Sequence, residues 1–176
     1  LNGDGTVTFT PTANFNGAAS FTYTVSDGAL SSAPATVTVN VGAVNDAPVA
    51  VADNVITNVT PGDSFIIPEW ALLANDSDLD GDTLDVASVD VGNPTSGDQA
   101  VLTPGTGTDG FVTFLDNDEF TASFFTYVAT DGQLSSGLAV VDVTQDMDGT
   151  IDGTSGNDIL VGAQLEGTRF VGNGGN

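Results

Sequence analysis

In 176 residues the chain carries 24 Asp and Glu against one basic residue, Arg169, and it has no His or Cys, so its formal net charge is −23. One cation cannot neutralise a row of phosphates, and an anionic membrane surface repels such a chain, which excludes nucleic acid and argues against membrane association. Without Cys, His or Lys there is no thiolate, imidazole, Schiff-base or ordinary zinc chemistry, and what remains is oxygen ligands suited to a hard cation, above all calcium. Only Glu69, Glu119 and Glu166 are Glu; the other acids are all Asp, the short side chain that favours turns and closes around a cation from a loop. A hydrophobic content of 40% with ten Phe is enough for a core. No apolar run is long enough to span a bilayer, and no secretory leader opens the chain. It starts at Leu1 in mid-pattern and is read as a fragment of something longer.

Residues 1–41 repeat later in the chain. Asp4-Gly5-Thr6-Val7-Thr8-Phe9 matches Asp109-Gly110-Phe111-Val112-Thr113-Phe114, and Phe21-Thr22-Tyr23 matches Phe125-Thr126-Tyr127. Asp27-Gly28-Ala29-Leu30-Ser31-Ser32 matches Asp131-Gly132-Gln133-Leu134-Ser135-Ser136. Self-similarity on this scale predicts tandem modules, of which 1–41 is the back half of one. Within it, Phe21, Tyr23 and Val25 alternate with Thr, as do Val37, Val39 and Val41, the period of a half-buried strand. Residues 42–48, with Asn45-Asp46-Ala47-Pro48, form a linker.

Residues 49–145 read as one complete module with seven short strands, at 49–53, 64–67, 84–91, 99–103, 110–115, 123–130 and 138–144, punctuated by Gly, Pro, Asn and Asp. Seven strands in about a hundred residues predict an all-β, immunoglobulin-like sandwich. The one helix-like stretch is Pro68-Glu69-Trp70-Ala71-Leu72-Leu73, a turn or two long. Trp70, the only Trp, is read as packing under the following loop, with a ligand-stacking platform as the alternative. Tyr23 and Tyr127 are read as core or corner residues.

That following loop carries the densest acidic signal, Asn75-Asp76-Ser77-Asp78-Leu79-Asp80-Gly81-Asp82. Alternate Asp followed by Gly reproduces the first half of an EF-hand loop, in which close carboxylates repel unless a cation lies between them. The twelfth loop position is Ala87, not the bidentate Glu of an EF-hand, so further ligands must come from elsewhere. A merely solvated acidic turn stays open as the alternative. In a seven-strand sandwich the loops after the second and sixth strands lie at the end where the first strand begins. Asp76, Asp78, Asp80, Asp82, Asp131, Asn45 and Asp46 are therefore expected to converge at one pole, although Asp131-Gly132 and Asn45-Asp46 serve equally well as turn formers. The other pole gathers Asp63, residues 116–119, Asp146 and Asp148.

From residue 146 the pattern changes. Gly153-Thr154-Ser155-Gly156-Asn157-Asp158-Ile159-Leu160-Val161 fits the Gly/Asp nonapeptide of a parallel β-roll, with Asp158 as the metal-binding acid and Thr154 in place of a Gly. The next nonapeptide, from Gly162, lacks the Asp, and one repeat cannot fold alone. Residues 146–176 are thus read as the start of such an array, with a Gly-rich linker as the alternative.

Three blocks carry a family resemblance: residues 72–84, the Phe-Thr-Tyr-Thr-Val-Ser-Asp-Gly run ending at Gly28, and Val44-Asn45-Asp46-Ala47-Pro48-Val49. Together they resemble the cadherin-like tandem repeats of giant secreted bacterial adhesins, close to VCBS and other immunoglobulin-like repeats. The tail resembles the opening of RTX, or hemolysin-type, calcium-binding repeats. The resemblance implies an extracellular, secreted or cell-surface location and a role in adhesion. It further implies calcium-stiffened junctions between neighbouring modules, and type I export with its signal beyond Asn176. It makes Asn45 and Asp46 linker ligands for Ca2+ and Asp76, Asp78 and Asp80 loop ligands, and suggests no catalysis. The function expected is a calcium-binding structural and adhesive spacer, whose outer partner is a cell-surface protein or glycan; the alternative is a calcium-dependent carbohydrate-binding module.

Overall fold

The computed structural model describes residues 2–92, 97–105, 108–117, 123–148, 150–163 and 169–171, the last three as backbone alone. The chain divides into two compact units, Leu1–Asn45 and Asp46–Asn176.

In the first unit, β1 (Gly17–Tyr23) pairs antiparallel with β2 (Ala35–Val41), with Phe21 opposite Val37. The turn between them repeats almost bond for bond in the second unit. Asp27 Oδ1 accepts the Ala29 and Leu30 N–H groups, and Asp131 Oδ1 those of Gln133 and Leu134. Gly28 and Gly132 sit at φ 92° and 90°, a conformation that only Gly adopts without strain. Burial differs between the copies: Tyr127 is fully buried, whereas its counterpart Tyr23 is 49% exposed. Among the described residues of the first unit, no second sheet covers that face.

The second unit is a two-sheet sandwich. Its elements are β3 (Asp53–Thr57), β4 (Ser64–Pro68), a single helical turn α1 (Glu69–Leu72) running into a 3-10 turn (Leu73–Asn75), β5 (Asp85–Val91), β6 (Gln99–Thr103), β7 (Phe111–Leu115), β8 (Ser123–Thr130) and β9 (Ala139–Gln145). Two strands of the tail follow β9, namely β10 (Thr150–Asp152) and β11 (Asp158–Val161), and β12 (Arg169–Val171) closes the described chain. One sheet has the order β4-β7-β6; the other is β11-β3-β9-β8-β5. Period-two alternation sends Phe65 and Ile67 of β4, Val112 and Phe114 of β7, Phe125 and Tyr127 of β8 and Val141 and Val143 of β9 into one core. Phe114 links the sheets, with its ring centroid 5.4 Å from Phe125 and 5.6 Å from Phe65. This is the all-β, immunoglobulin-like sandwich that the strand count predicts.

Three expectations shift. The strand predicted at 49–53 begins instead at Asp53, because the chain before it leans on a loop: Val49 and Ser77 exchange both backbone hydrogen bonds (2.8 and 3.1 Å) while Val49 and Val51 stay exposed. Trp70 is 61% exposed, so it does not pack beneath the Asp loop; the buried residues of that turn are Glu69, Ala71 and Leu72. The tail strand β11, read from sequence as part of a roll, is the parallel edge strand of the larger sheet, Asp158 lying opposite Asn54 and Val161 opposite Thr57. β10 pairs in parallel with β12.

Candidate metal centre

The site grows out of the turn after β4. Leu72 and Leu73 are buried and anchor the helical turn, and the Asp76 N–H closes it on the Leu73 carbonyl at 3.2 Å. Residues 46–52 then run beside the loop and are clipped to it four times. The Asn75 side chain donates to the Ala52 carbonyl (3.2 Å), the Val51 N–H to Asp76 Oδ1 (2.8 Å), Val49 and Ser77 form their bridge, and the Asp46 N–H donates to Asp80 Oδ2 (2.7 Å).

Within the loop, Asp78 Oδ1 accepts the N–H groups of Asp80 (2.9 Å) and Asp82 (3.1 Å). Gly81, at φ 79°, makes this reversal feasible. The result is that one carboxylate oxygen from each of Asp78, Asp80 and Asp82 lies within 4.8 Å of the others. Oxygens held at 2.3–2.6 Å from a shared calcium ion are at most about 5 Å apart, so the spacing fits. Asp78 Oδ2 is buried with no hydrogen-bond partner. A buried carboxylate oxygen in that condition carries a desolvation cost that a cation removes.

Asp76 turns away from this trio and into the protein. The Tyr127 hydroxyl lies 3.0 Å from both of its oxygens and 3.2 Å from the Val51 and Leu72 carbonyls, so one proton faces four acceptors. Behind them stands Asp53, 6% exposed, with Oδ2 unpartnered. Burial, then the charge of Asp76, pushes the Asp53 pKa up to about 7, against the Tyr127 and Asn75 side chains, which hold it down. Burial also raises Asp76, opposed by the Val51 N–H and Tyr127, and burial with the two carboxylates raises the Tyr127 hydroxyl. Asp53 and Tyr127 are neighbours of the loop that sequence spacing does not reveal.

Asn45 is the last residue of the first unit. Asp131 sits in the turn after β8, where its Oδ1 accepts two N–H groups at 2.6 Å. Asp158 opens β11, bonded to the Thr154 N–H (2.6 Å) and to the Asn54 side chain (2.8 Å). At the opposite pole Asp116 is buried, accepting from Ser123 (3.3 Å) and Gln145 (2.7 Å), while its carbonyl takes the Gly62 N–H. Asp146 closes on β3 through the Thr57 carbonyl, at 2.7 Å. Residues 118 and 119 of the expected second acidic pole lie outside the described residues.

Tyr127 ties the loop to β8. Tyr127→Phe is expected to destabilise the second unit by about 1–3 kcal/mol, because Asp76 and two carbonyls lose their shared donor. Tyr23→Phe, at the matching exposed position, is expected to shift stability by less than about 0.5 kcal/mol. Urea unfolding of the two full-length variants measures both.

Residues 1–42 match the cadherin-like domain family and residues 45–144 match the bacterial Ig domain family. No curated protein matches the chain. Domains of these two kinds are typically structural, non-enzymatic modules, commonly extracellular or surface-exposed, and cadherin-like domains generally bind calcium. No helix among the described residues is long and apolar enough to cross a membrane. With its second match spanning more than half of its length, the chain belongs to the bacterial Ig domain family.

Proposed function

We propose that the chain is a calcium-binding structural and adhesive spacer of a secreted or surface-held bacterial adhesin. The observation that carries this is the convergence of Asp78, Asp80 and Asp82 around the unpartnered Asp78 Oδ2. Three like charges at this separation repel by about 1 kcal/mol per pair even in bulk water, and more where water is partly excluded. A calcium ion there reverses that sign. Because the Asp46 N–H is bonded to Asp80, the ion also holds the segment by which the chain enters the module. Asp46 is then a ligand through its own oxygens or a positioning residue for Asp80. Each ion at about ten times its dissociation constant adds about 1.4 kcal/mol to stability. Neighbouring modules of the same chain are the immediate partners, and a cell-surface protein or glycan is the outer one. In this reading the modules are of the VCBS kind. The Gly/Asp-rich tail opens RTX-type repeats exported by a type I system, a reading supported by the parallel pairing of β10 with β12.

Calorimetric calcium titration of the full chain tests the proposal. Asp78→Asn with Asp80→Asn is expected to weaken one calcium site by tenfold or more; unchanged stoichiometry and affinity overturn it. The exposed Trp70 favours a second reading. It lines an open, largely apolar groove of about 390 Å³ with Ile66, Pro68 and Leu160, a shape on which a sugar ring can stack. Calcium-dependent hits on a glycan array, lost in Trp70→Ala, would favour that alternative.

A further inference from the structure

The first unit carries the inward-facing side chains of a sandwich without the half that covers them. β1 and β2 pair in the register of β8 and β9: Phe21 stands opposite Val37 and Tyr23 opposite Ala35, as Phe125 stands opposite Val141 and Tyr127 opposite Ala139. The sequence repeat adds Val7 and Phe9 as the matches of Val112 and Phe114. In the second unit Val112, Phe114, Phe125, Tyr127 and Val141 are all 0% exposed. In the first, Val7 is 54% exposed and Tyr23 49%, Phe21 and Val37 are half-buried, and no residue from 2 to 45 is buried. Both copies hold the side chains of a core, so the difference lies in what covers them.

The second unit shows what the cover is. Phe65 of β4 packs on Phe114, and β7 runs between β4 and β6. Residues 6–10, the match of β7, form no strand. β8 is flanked by β9 and by β5, with Val89 opposite Tyr127 and Val91 opposite Phe125. Among the described residues β1 pairs with β2 alone, and an open pocket of about 610 Å³ lies along it, lined by Val7, Phe21, Tyr23 and Val37 among others. The Tyr127 hydroxyl meets the Val51 and Leu72 carbonyls and Asp76. In the second unit, then, this face is closed mainly by residues 46–103, which supply β3, β4, α1, β5 and β6.

We propose that the first unit is an acceptor for the front half of an immunoglobulin-like module, a polypeptide segment with the chemistry of residues 46–103. Such a segment adds an antiparallel strand to the open side of β1 and gives residues 6–10 the two neighbours that β7 has. It also lays aliphatic and aromatic side chains on Val7, Phe21, Tyr23 and Val37, and brings carbonyl and carboxylate acceptors to the Tyr23 hydroxyl. A two-stranded sheet is marginal on its own, so the acceptor gains most from being completed. Apolar shape and strand alternation select the occupant, because Asp4 and Asp27 are the only charged side chains from 1 to 45. The inference is independent of the calcium loop and stands if that proposal fails.

The test adds a polypeptide of residues 46–103 to the full chain. In the second unit the equivalent place is already filled by the chain itself, so binding is read in the first unit, by amide hydrogen exchange of residues 18–24. Exchange there is expected to slow by about tenfold or more at saturating polypeptide. The effect is expected to persist at high salt and to be lost in Phe21→Asp and in Tyr23→Asp. Both positions lie in the first unit, and an unchanged melt of the second unit shows that each variant is otherwise sound. Exchange that is not slowed, or that stays slow in both variants, overturns the proposal. If the full chain alone forms dimers by light scattering, protects the same amides and loses both properties in Phe21→Asp, a second copy takes the face and the proposed occupant is refuted.

Discussion

Freed of divalent cations by dialysis, the second unit is expected to lose roughly 3–6 kcal/mol of unfolding free energy between pH 5 and pH 8. Two buried acids drive the effect. Asp53 has its pKa raised from 3.8 to about 7 by burial and then by the charge of Asp76. Glu69 has its pKa raised from 4.5 to about 7 by burial and then by Asp85. In the unfolded chain both groups lose their proton near pH 4, whereas in the folded chain both keep it until about pH 7. Between those values the native state binds more protons than the unfolded one, so stability falls as pH rises. Their contribution is fully present below about pH 4 and is gone above about pH 7. Each tenfold change in a group's acidity on folding is worth about 1.36 kcal/mol, and structural relaxation at a deprotonated site takes back part of the total. In the first unit Asp27 shifts the opposite way, its carboxyl held down by the Leu30 and Ala29 N–H groups. Urea unfolding followed by the fluorescence of Trp70, which lies in the second unit alone, measures this in the presence and absence of calcium. A metal-free profile that is level or rises from pH 5 to pH 8 contradicts the account.

The sequence shows what local chemistry determines and hides what the tertiary fold determines. The strands expected at 99–103 and 123–130 occur at Gln99–Thr103 and Ser123–Thr130, because each alternates cleanly and ends at turn-forming residues. The alternation of Asp76, Asp78 and Asp80 before Gly81 predicts a loop that turns its carboxylates inward; Asp78 and Asp80 come within 4.8 Å of Asp82, whereas Asp76 faces the Tyr127 hydroxyl. Asp53 is invisible in the sequence because its importance depends on Tyr127 and Asp76, which come to it only when β3 and β8 join the same sheet. Glu69 and Asp85 lie on separate elements, α1 and β5, and no spacing rule connects them. For Trp70, hydrophobicity suggests burial, but the helical segment is one turn long and can bury only one face. Glu69, Ala71 and Leu72 take that face, so Trp70 is left outside. The start of β3 is obscured for a related reason. An apolar residue in an extended segment is strand-like by pattern, yet Val49 and Val51 lie against a loop and not beneath a second sheet.

Ending the chain at Gln145 is expected to destabilise the sandwich by about 2–5 kcal/mol and to make it self-associate. Without β11, β3 becomes an edge, and its N–H and C=O groups from Asn54 to Thr57 lose their parallel partner. An uncovered edge strand rich in Val and Ile is a template for pairing with another chain. Ile159, Val161 and Ala163 pack against the main core, and Ala163 is further held by the Asn58 side chain at 2.7 Å. On the other face of β3, Ile56 is buried outside that core, and Ile151 of β10 is fully buried. Burying one such aliphatic side chain contributes about 1.5–3 kcal/mol, from which the entropy of ordering some fifteen tail residues must be subtracted. Hence the net expectation is a few kcal/mol and not their sum. A gentler variant, Ile151→Asp in the full chain, places a charge where Ile151 is now fully buried and is expected to reproduce most of the loss without creating a new terminus. Unfolding midpoints and light scattering together decide the matter. If the shortened chain melts unchanged and stays monomeric, the tail is a separate element resting on the sandwich. If it melts early and associates, the bacterial Ig module includes β11, and the parallel strands of the tail grow from its sheet.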